Sequence, residues 1–195
     1  VSNSLAQTSK VSETFEVSSP DTFKPTELGD LPAEWDVVRL GDFVDKKIVR
    51  IKNGFPFGGF NEEGRGIPHL RPFNINTNAS IDLSAIKYIE TDRDLEAYFL
   101  QPGDVFFNNT NSEELVGKTT YWNRVGQFVY SNHMASIRVL DTGKLAPYFL
   151  MSYFHQRWRE GYFQSLCRRH VNQASISLAR IKQILIPLPP LDEQR

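Results

Sequence analysis

The sequence is nearly devoid of cysteine. A single residue, Cys167, excludes an internal disulfide and leaves any thiolate metal site without a second sulfur. Such sparse use suits a reducing compartment, so a cytoplasmic location is expected. The four histidines, His69, His133, His155 and His170, form no HExxH or His-x-x-x-His spacing. No run of about 18 apolar residues is available to span a bilayer, and the first residues do not pair a basic segment with an apolar one as a secretory signal would. No GxxxxGK[ST] segment marks an ATP site, and no Gly-rich loop follows a strand to cradle S-adenosylmethionine. An Asn-Pro-Pro-Tyr segment able to hold a flipped adenine is missing too, since Leu188-Pro189-Pro190-Leu191 has neither the amide nor the aromatic. Asp45-Lys46-Lys47 is too short a fragment to mark a metal nuclease, and Gly58-Gly59 is too isolated to hold phosphate. These absences favour binding without turnover.

A large charge of one sign is also lacking. The net charge of −1 argues against a simple electrostatic nucleic-acid binder. The charges are unevenly spread, however. Residues 1–36 carry two Lys against seven Asp or Glu, whereas residues 37–195 carry 20 Lys or Arg against 16 Asp or Glu. The acidity lies in the leading segment and the remainder is mildly basic.

Apolar residues make up 40% of the chain, including 14 Phe, 7 Tyr and 3 Trp, enough for one folded domain with its own core. The most informative stretch is Gln101–Trp122. Pro102-Gly103-Asp104 signals a turn, Val105-Phe106-Phe107 a buried strand, and Thr119–Trp122 a second strand. Between them Asn108, Asn109, Thr110, Asn111 and Ser112 line up hydrogen-bonding side chains, followed by Lys118. Amides can read adenine edges and a lysine can hold a phosphate. The same polar run could equally satisfy its own backbone in local turns.

Further strands are expected at Trp35–Leu40, Ile48–Ile51, Ile67–Phe73, Ile86–Ile89, Phe128–Tyr130, Ala135–Leu140 and Ile184–Leu188. Lys52–Gly66, with five Gly and one Pro, reads as a long mobile loop. Thr91–Leu100 reads as a small helix capped by Thr91. The longest helix is expected to start at Pro147, with Phe149, Leu150, Tyr153, Phe154 and Trp158 at helical spacing. Short polar segments follow two of the strands: Asn74–Asn78 and Asn108–Ser112. Their amide-bearing tips, Asn74 and Asn109, are expected to converge on one side of the scaffold. Arg168-Arg169-His170 then precedes Asn172-Gln173, a basic loop with two amides. His133 reads as structural, because no motif marks a thiol or hydroxyl partner for it.

Four stretches together carry a resemblance. They are Leu31-Pro32 with Glu34-Trp35 and Arg39–Asp42; His69–Pro72 with Asn74–Asn76; Gly103–Asn108 with Thr110–Ser112 and Glu114–Lys118; and Asn172-Gln173 with Ser175-Ile176, Ile186–Leu191 and Glu193-Gln194. In that order they resemble the target-recognition domain of the specificity subunit of type I restriction–modification systems. The resemblance spans about residues 27–195. It implies an α+β fold, a curved and mostly antiparallel sheet with packed helices. It divides the chain into a polar leader or linker (1–26), a target-recognition domain (27–188) and the start of a spacer helix (189–195). A full specificity subunit has two such domains and two such helices, so the chain is expected to be a dissected domain or the product of a truncated gene.

The implied function is recognition of one half of a bipartite target in double-stranded DNA, without catalysis. Methyltransferase and restriction subunits would act as partners, possibly alongside a second recognition half. S-adenosylmethionine, ATP and Mg would belong to those partners, and no cofactor to this chain. The expected DNA contacts are Lys52, Arg71, Asn74, Asn76, Asn108, Asn109, Thr110, Asn111, Lys118, Arg168, Arg169, Asn172 and Gln173, with Asn53 and Arg65 as further candidates in the Gly-rich loop. Two other readings fit the same residues: the recognition end of a fused methyltransferase–nuclease, and a protein-interaction domain without DNA binding.

Overall fold

The computed structural model describes residues 22–195, and its centre is the strand that follows the Pro102-Gly103 turn. In chain order the strands are β1 (Phe23–Thr26), β2 (Gly29–Pro32), β3 (Asp36–Arg39), β4 (Val49–Asn53), β5 (Ile67–Leu70), β6 (Lys87–Ile89) and β7 (Asp104–Phe107). There follow β8 (Thr110–Asn111), β9 (Thr119–Tyr121), β10 (Val129–Tyr130), β11 (Ala135–Val139), β12 (Arg168–Arg169), β13 (Ala174–Ser175) and β14 (Leu185–Leu188). The helices are α1 (Leu40–Asp45), α2 (Pro147–Arg159), α3 (Tyr162–Leu166) and α4 (Leu178–Ile181). The α+β, mostly antiparallel class expected from the sequence is the one observed. Among the described residues the strands are shared among five small sheets, and only the pairing of β10 with β5 is parallel.

The largest sheet has the order β4-β11-β7-β9. Val105, Phe106 and Phe107 are all 0% exposed because β7 is covered on both faces. Side chains alternate across a strand, so Val105 and Phe107 join one apolar cluster and Phe106 a second. On the first face Phe107 meets Phe154 of α2 and Phe163 of α3 edge-on, with ring centres 5.9 and 4.8 Å away. On the second it meets Trp122 and Tyr130 through Phe106. A continuous apolar run, without polar alternation, is the signature of such two-sided burial. At the start of β7 the buried Asp104 accepts two bonds from the Arg138 guanidinium, at 2.5 and 2.6 Å, across the β7–β11 pair.

Helix α2 begins at Pro147, whose missing N–H is harmless in the first turn. Leu150, Met151 and Phe154 are its buried face. Gly161, at φ +78°, turns the chain into α3. Strand β14 pairs with β3, joining a late segment of the chain to an early one.

Two expectations need correction, and the two ends of the domain division take definite forms. Thr91–Leu100 is not a helix; only Glu96–Tyr98 forms a 3-10 turn. Thr91 Oγ1 accepts the Arg93 N–H and Asp94 Oδ1 accepts the Glu96 N–H, so local side-chain bonds compete with helical ones. The Gly-rich segment is packed: Phe55 is buried, and Phe57 and Phe60 lie against its cluster. Two of its glycines permit close approach, since a Cβ at Gly54 or Gly66 would lie 2.1 Å from a carbonyl oxygen. Phe23–Thr26, assigned above to the leader, is a strand paired with Gly29–Pro32, while residues 1–21 lie outside the described residues. Residues 189–195 make a single turn in which Glu193 and Gln194 both donate to the Pro190 carbonyl. The Gln194 side chain anchors it, accepting from the Ala146 N–H at 2.8 Å and donating to the Pro189 carbonyl at 2.9 Å.

Candidate nucleic-acid interface

Beyond Phe107 the chain leaves the central sheet and enters a second one, of order β12-β13-β8. Thr110 and Asn111 pair with Ser175 and Ala174, which in turn pair with Arg168 and Arg169. This fixes the polar run against the basic hairpin. The segment after β5 arrives at the same place. Arg71, Phe73, Thr110, Asn111, Asn172 and Gln173 line one cavity of about 420 Å³. Pro72, Ser112, Leu115, Lys118 and His133 complete its wall, which contains no carboxylate.

The thirteen expected contacts separate into groups. Arg71, Thr110, Asn111, Lys118, Asn172 and Gln173 come together at the cavity. Arg71 has no carboxylate partner among the described residues; its guanidinium stacks 4.2 Å from the Phe60 ring centre, and burial lowers its pKa. Asn76 lies on a neighbouring hollow that shares Phe73, Leu115 and Lys118 with the first, and its amide donates to Ser80 Oγ. Arg168 is exposed on its edge strand. Arg169 is bound through two nitrogens to Glu113, at 2.6 and 2.7 Å, which raises the arginine pKa and lowers the carboxylate's.

Four of the expected readers face inward. Asn74, Asn108, Asn109 and Lys118 are no more than 6% exposed. Asn74 accepts the Arg71 N–H and donates to the Asp82 carbonyl. Asn108 points at the Pro72 carbonyl, 3.4 Å away, and Asn109 donates to Asn53 Oδ1. Lys118 donates to the Ile75 carbonyl, and desolvation lowers its pKa. The expectation that Asn74 and Asn109 are paired reading tips is therefore corrected: both are committed to holding loops. The two segments do converge, but through Arg71–Phe73 and Thr110–Ser112.

Lys52 belongs elsewhere. It donates to the Ala97 carbonyl and lies 3.8 Å from the Tyr98 ring centre, away from the cavity. Arg65 pairs with Glu90 and Glu63. Sequence reasoning missed Phe73, and it named Ser112 in the polar run without counting it among the contacts. Phe73 could have been found as an apolar residue stranded between Pro72 and Asn74, with no periodic partner. No cluster of His, Cys, Asp or Glu among the described residues could hold a metal ion. No helix of the described chain is long and apolar enough to cross a membrane.

Residues 32–195 match the family of the type I restriction modification DNA specificity domain. The chain belongs to that family. Among known proteins it is 31% identical, over 177 residues, to the MjaX specificity subunit of Methanocaldococcus jannaschii, a protein assigned by name to the type I restriction enzymes. The match takes in 90% of this specificity domain and 40% of that relative, so the chain spans well under half the relative's length. Its fold is that of solved type I subunits. A chain from a structure of type I R-M complex assembly superposes with a TM-score of 0.62 at 24% identity, covering 87% of this chain and 38% of the other. The HsdS subunit from Thermoanaerobacter tengcongensis gives 0.59 at 24%, covering 88% and 37%. The type I S subunit from M. genitalium gives 0.56 at 13%, covering 82% and 36%.

Proposed function

We propose that the chain reads one half of a bipartite double-stranded DNA target for a type I restriction–modification complex. The observation that carries this reading is the carboxylate-free cavity where three separate segments meet, bearing Arg71 and Lys118 beside Thr110, Asn111, Asn172 and Gln173. Neutral donor–acceptor side chains on paired strands can discriminate base edges, and the adjacent Arg71 guanidinium complements phosphate. Arg168 and Asn76 extend the surface. Asn74, Asn108, Asn109 and Lys118 act as supports. Catalysis is assigned to other chains: methyltransferase and restriction subunits bring S-adenosylmethionine, ATP and Mg, and a second recognition half reads the rest of the target. The work takes place in the cytoplasm. Membership of a DNA specificity family and the named relative support this division.

The test is a titration of the full chain against duplex DNA enriched from a random pool, beside a scrambled duplex. Asn111→Ala should weaken the enriched duplex by about 1–3 kcal/mol and leave the scrambled one unchanged. Arg168→Ala should weaken both alike and flatten the salt dependence by about 0.9 in log–log slope. Equal losses on both duplexes for both variants would remove the base-reading role.

A further inference from the structure

Phe73 is an apolar residue that the fold does not use. It is 48% exposed and belongs to none of the three apolar clusters. It is nevertheless held firmly. Pro72 precedes it in a 3-10 turn, Pro72–Asn74, and the buried Asn74 closes that turn through bonds of 2.9 Å to the Arg71 N–H and to the Asp82 carbonyl. The Arg71 guanidinium lies 5.4 Å from the Phe73 ring centre. Exposing such a ring to water is unfavourable, and its burial by a partner would be correspondingly favourable.

What surrounds the ring indicates the partner. Asn111, Asn172 and Gln173 line the same cavity, and the side chains of Asn172 and Gln173 make no hydrogen bond among the described residues. Val171, 99% exposed, precedes them at the tip of the β12–β13 hairpin. An amide reads adenine by a two-pronged contact in the major groove, and the thymine paired with that adenine presents its 5-methyl group to the same groove. Free amides beside a fixed apolar ring are thus the chemical complement of an A·T pair.

We propose that Phe73 is a specificity-determining residue that covers a thymine methyl group, next to an adenine read by the amides of this cavity. The inference rests on the DNA-reading function proposed above and adds a base pair and a residue to it.

The experiment uses the full chain and the duplex it enriches from a random pool. Each thymine is replaced singly by deoxyuridine, which removes only the methyl group. At one position the wild type should lose about fourfold in affinity, the worth of one buried methyl-sized group. In Phe73→Ala that replacement should have no effect, while Phe73→Leu should retain most of it. Both variants should melt like the wild type, because the ring lies outside the core. A Phe73→Ala chain that keeps the full deoxyuridine penalty at every thymine overturns the inference and leaves DNA reading intact. So does a ring-dependent rise in 2-aminopurine fluorescence, which reports insertion between base steps and not a methyl contact. A wild-type chain that enriches no duplex removes DNA reading itself, and the inference with it.

Discussion

Protonation of His69 should loosen the platform that carries Arg71 and Phe73. His69 is 0% exposed on β5, two residues before Arg71. Its Nε2 lies 3.3 Å from the Phe55 carbonyl, which can only accept, so the neutral ring carries its proton there. The Phe60 ring centre is 5.3 Å away. Burial pushes the imidazole from 6.5 down to about 4, the Phe55 bond opposes this, and the Arg71 charge adds to it. The unfolded chain protonates near pH 6.5, so between the two values the unfolded state binds a proton that the folded state refuses. This contribution to stability is complete above about pH 6.5. It is lost as the pH falls towards about 4, and no more is lost below that.

At about 1.36 kcal/mol per unit, the loss reaches about 2 kcal/mol by pH 5. Glu62, Glu113 and Glu160 have pKa values lowered from 4.5, each chiefly by a side-chain hydrogen bond, so what they add is lost in a more acidic window. Urea unfolding of the wild type and of His69→Gln, which can still donate to the Phe55 carbonyl but does not titrate, separates the terms. The stability gap between them should narrow by about 2 kcal/mol from pH 7.5 to pH 5. Two parallel curves over that range would refute the argument, because they would mean that His69 takes up its proton in the folded chain without penalty.

Three shorter predictions concern the neighbouring elements. Glu113→Gln releases Arg169 from its two-nitrogen contact; scrambled duplexes should bind more tightly in fluorescence anisotropy, with a salt slope steeper by about 0.9. An unchanged slope would show that Arg169 does not reach phosphate even when free. Gly117→Ala places a methyl group at φ +88°, 2.5 Å from the Phe163 side chain; a loss of about 1–3 kcal/mol is expected in chemical denaturation. Asp104→Asn leaves the Arg138 charge, 14% exposed, without its carboxylate. Stability should fall by about 3–5 kcal/mol, and a melting temperature within about 2 °C of the wild type would contradict a structural role for the pair.

The sequence revealed those elements whose pattern is local. The β7 run, the Pro147 start of α2 and its buried face at Leu150 and Phe154 were readable because sterics and periodicity act over a few residues. The Thr91–Leu100 segment misled because the Thr91 and Asp94 side chains bond the backbone ahead of them and stop a helix that its apolar spacing would favour. The candidate site was readable in its segments but not in its individual side chains. Nothing in Asn-Asn-Thr-Asn-Ser distinguishes an inward amide from an outward one. That choice is made by distant partners: the Ile176 N–H donates to the Asn109 carbonyl at 2.9 Å, and the Asn109 amide meets Asn53 of β4.

The same division explains why so many amides are packed into five residues. A reading side chain on a loop of its own would have to be ordered when DNA binds, at about 0.5–1.5 kcal/mol for each immobilised side chain. Here the ordering is done in the free protein. Asn108 and Asn109 tie the run to Pro72 and to β4, and β13 holds Thr110 and Asn111 in register. Asn74 does the same for the turn that carries Arg71 and Phe73. Under the proposed function, each inward amide would contribute to affinity without touching DNA. A substitution there should weaken every duplex together with stability, whereas one at Asn111 should alter sequence preference alone. That contrast separates a supporting amide from a reading one.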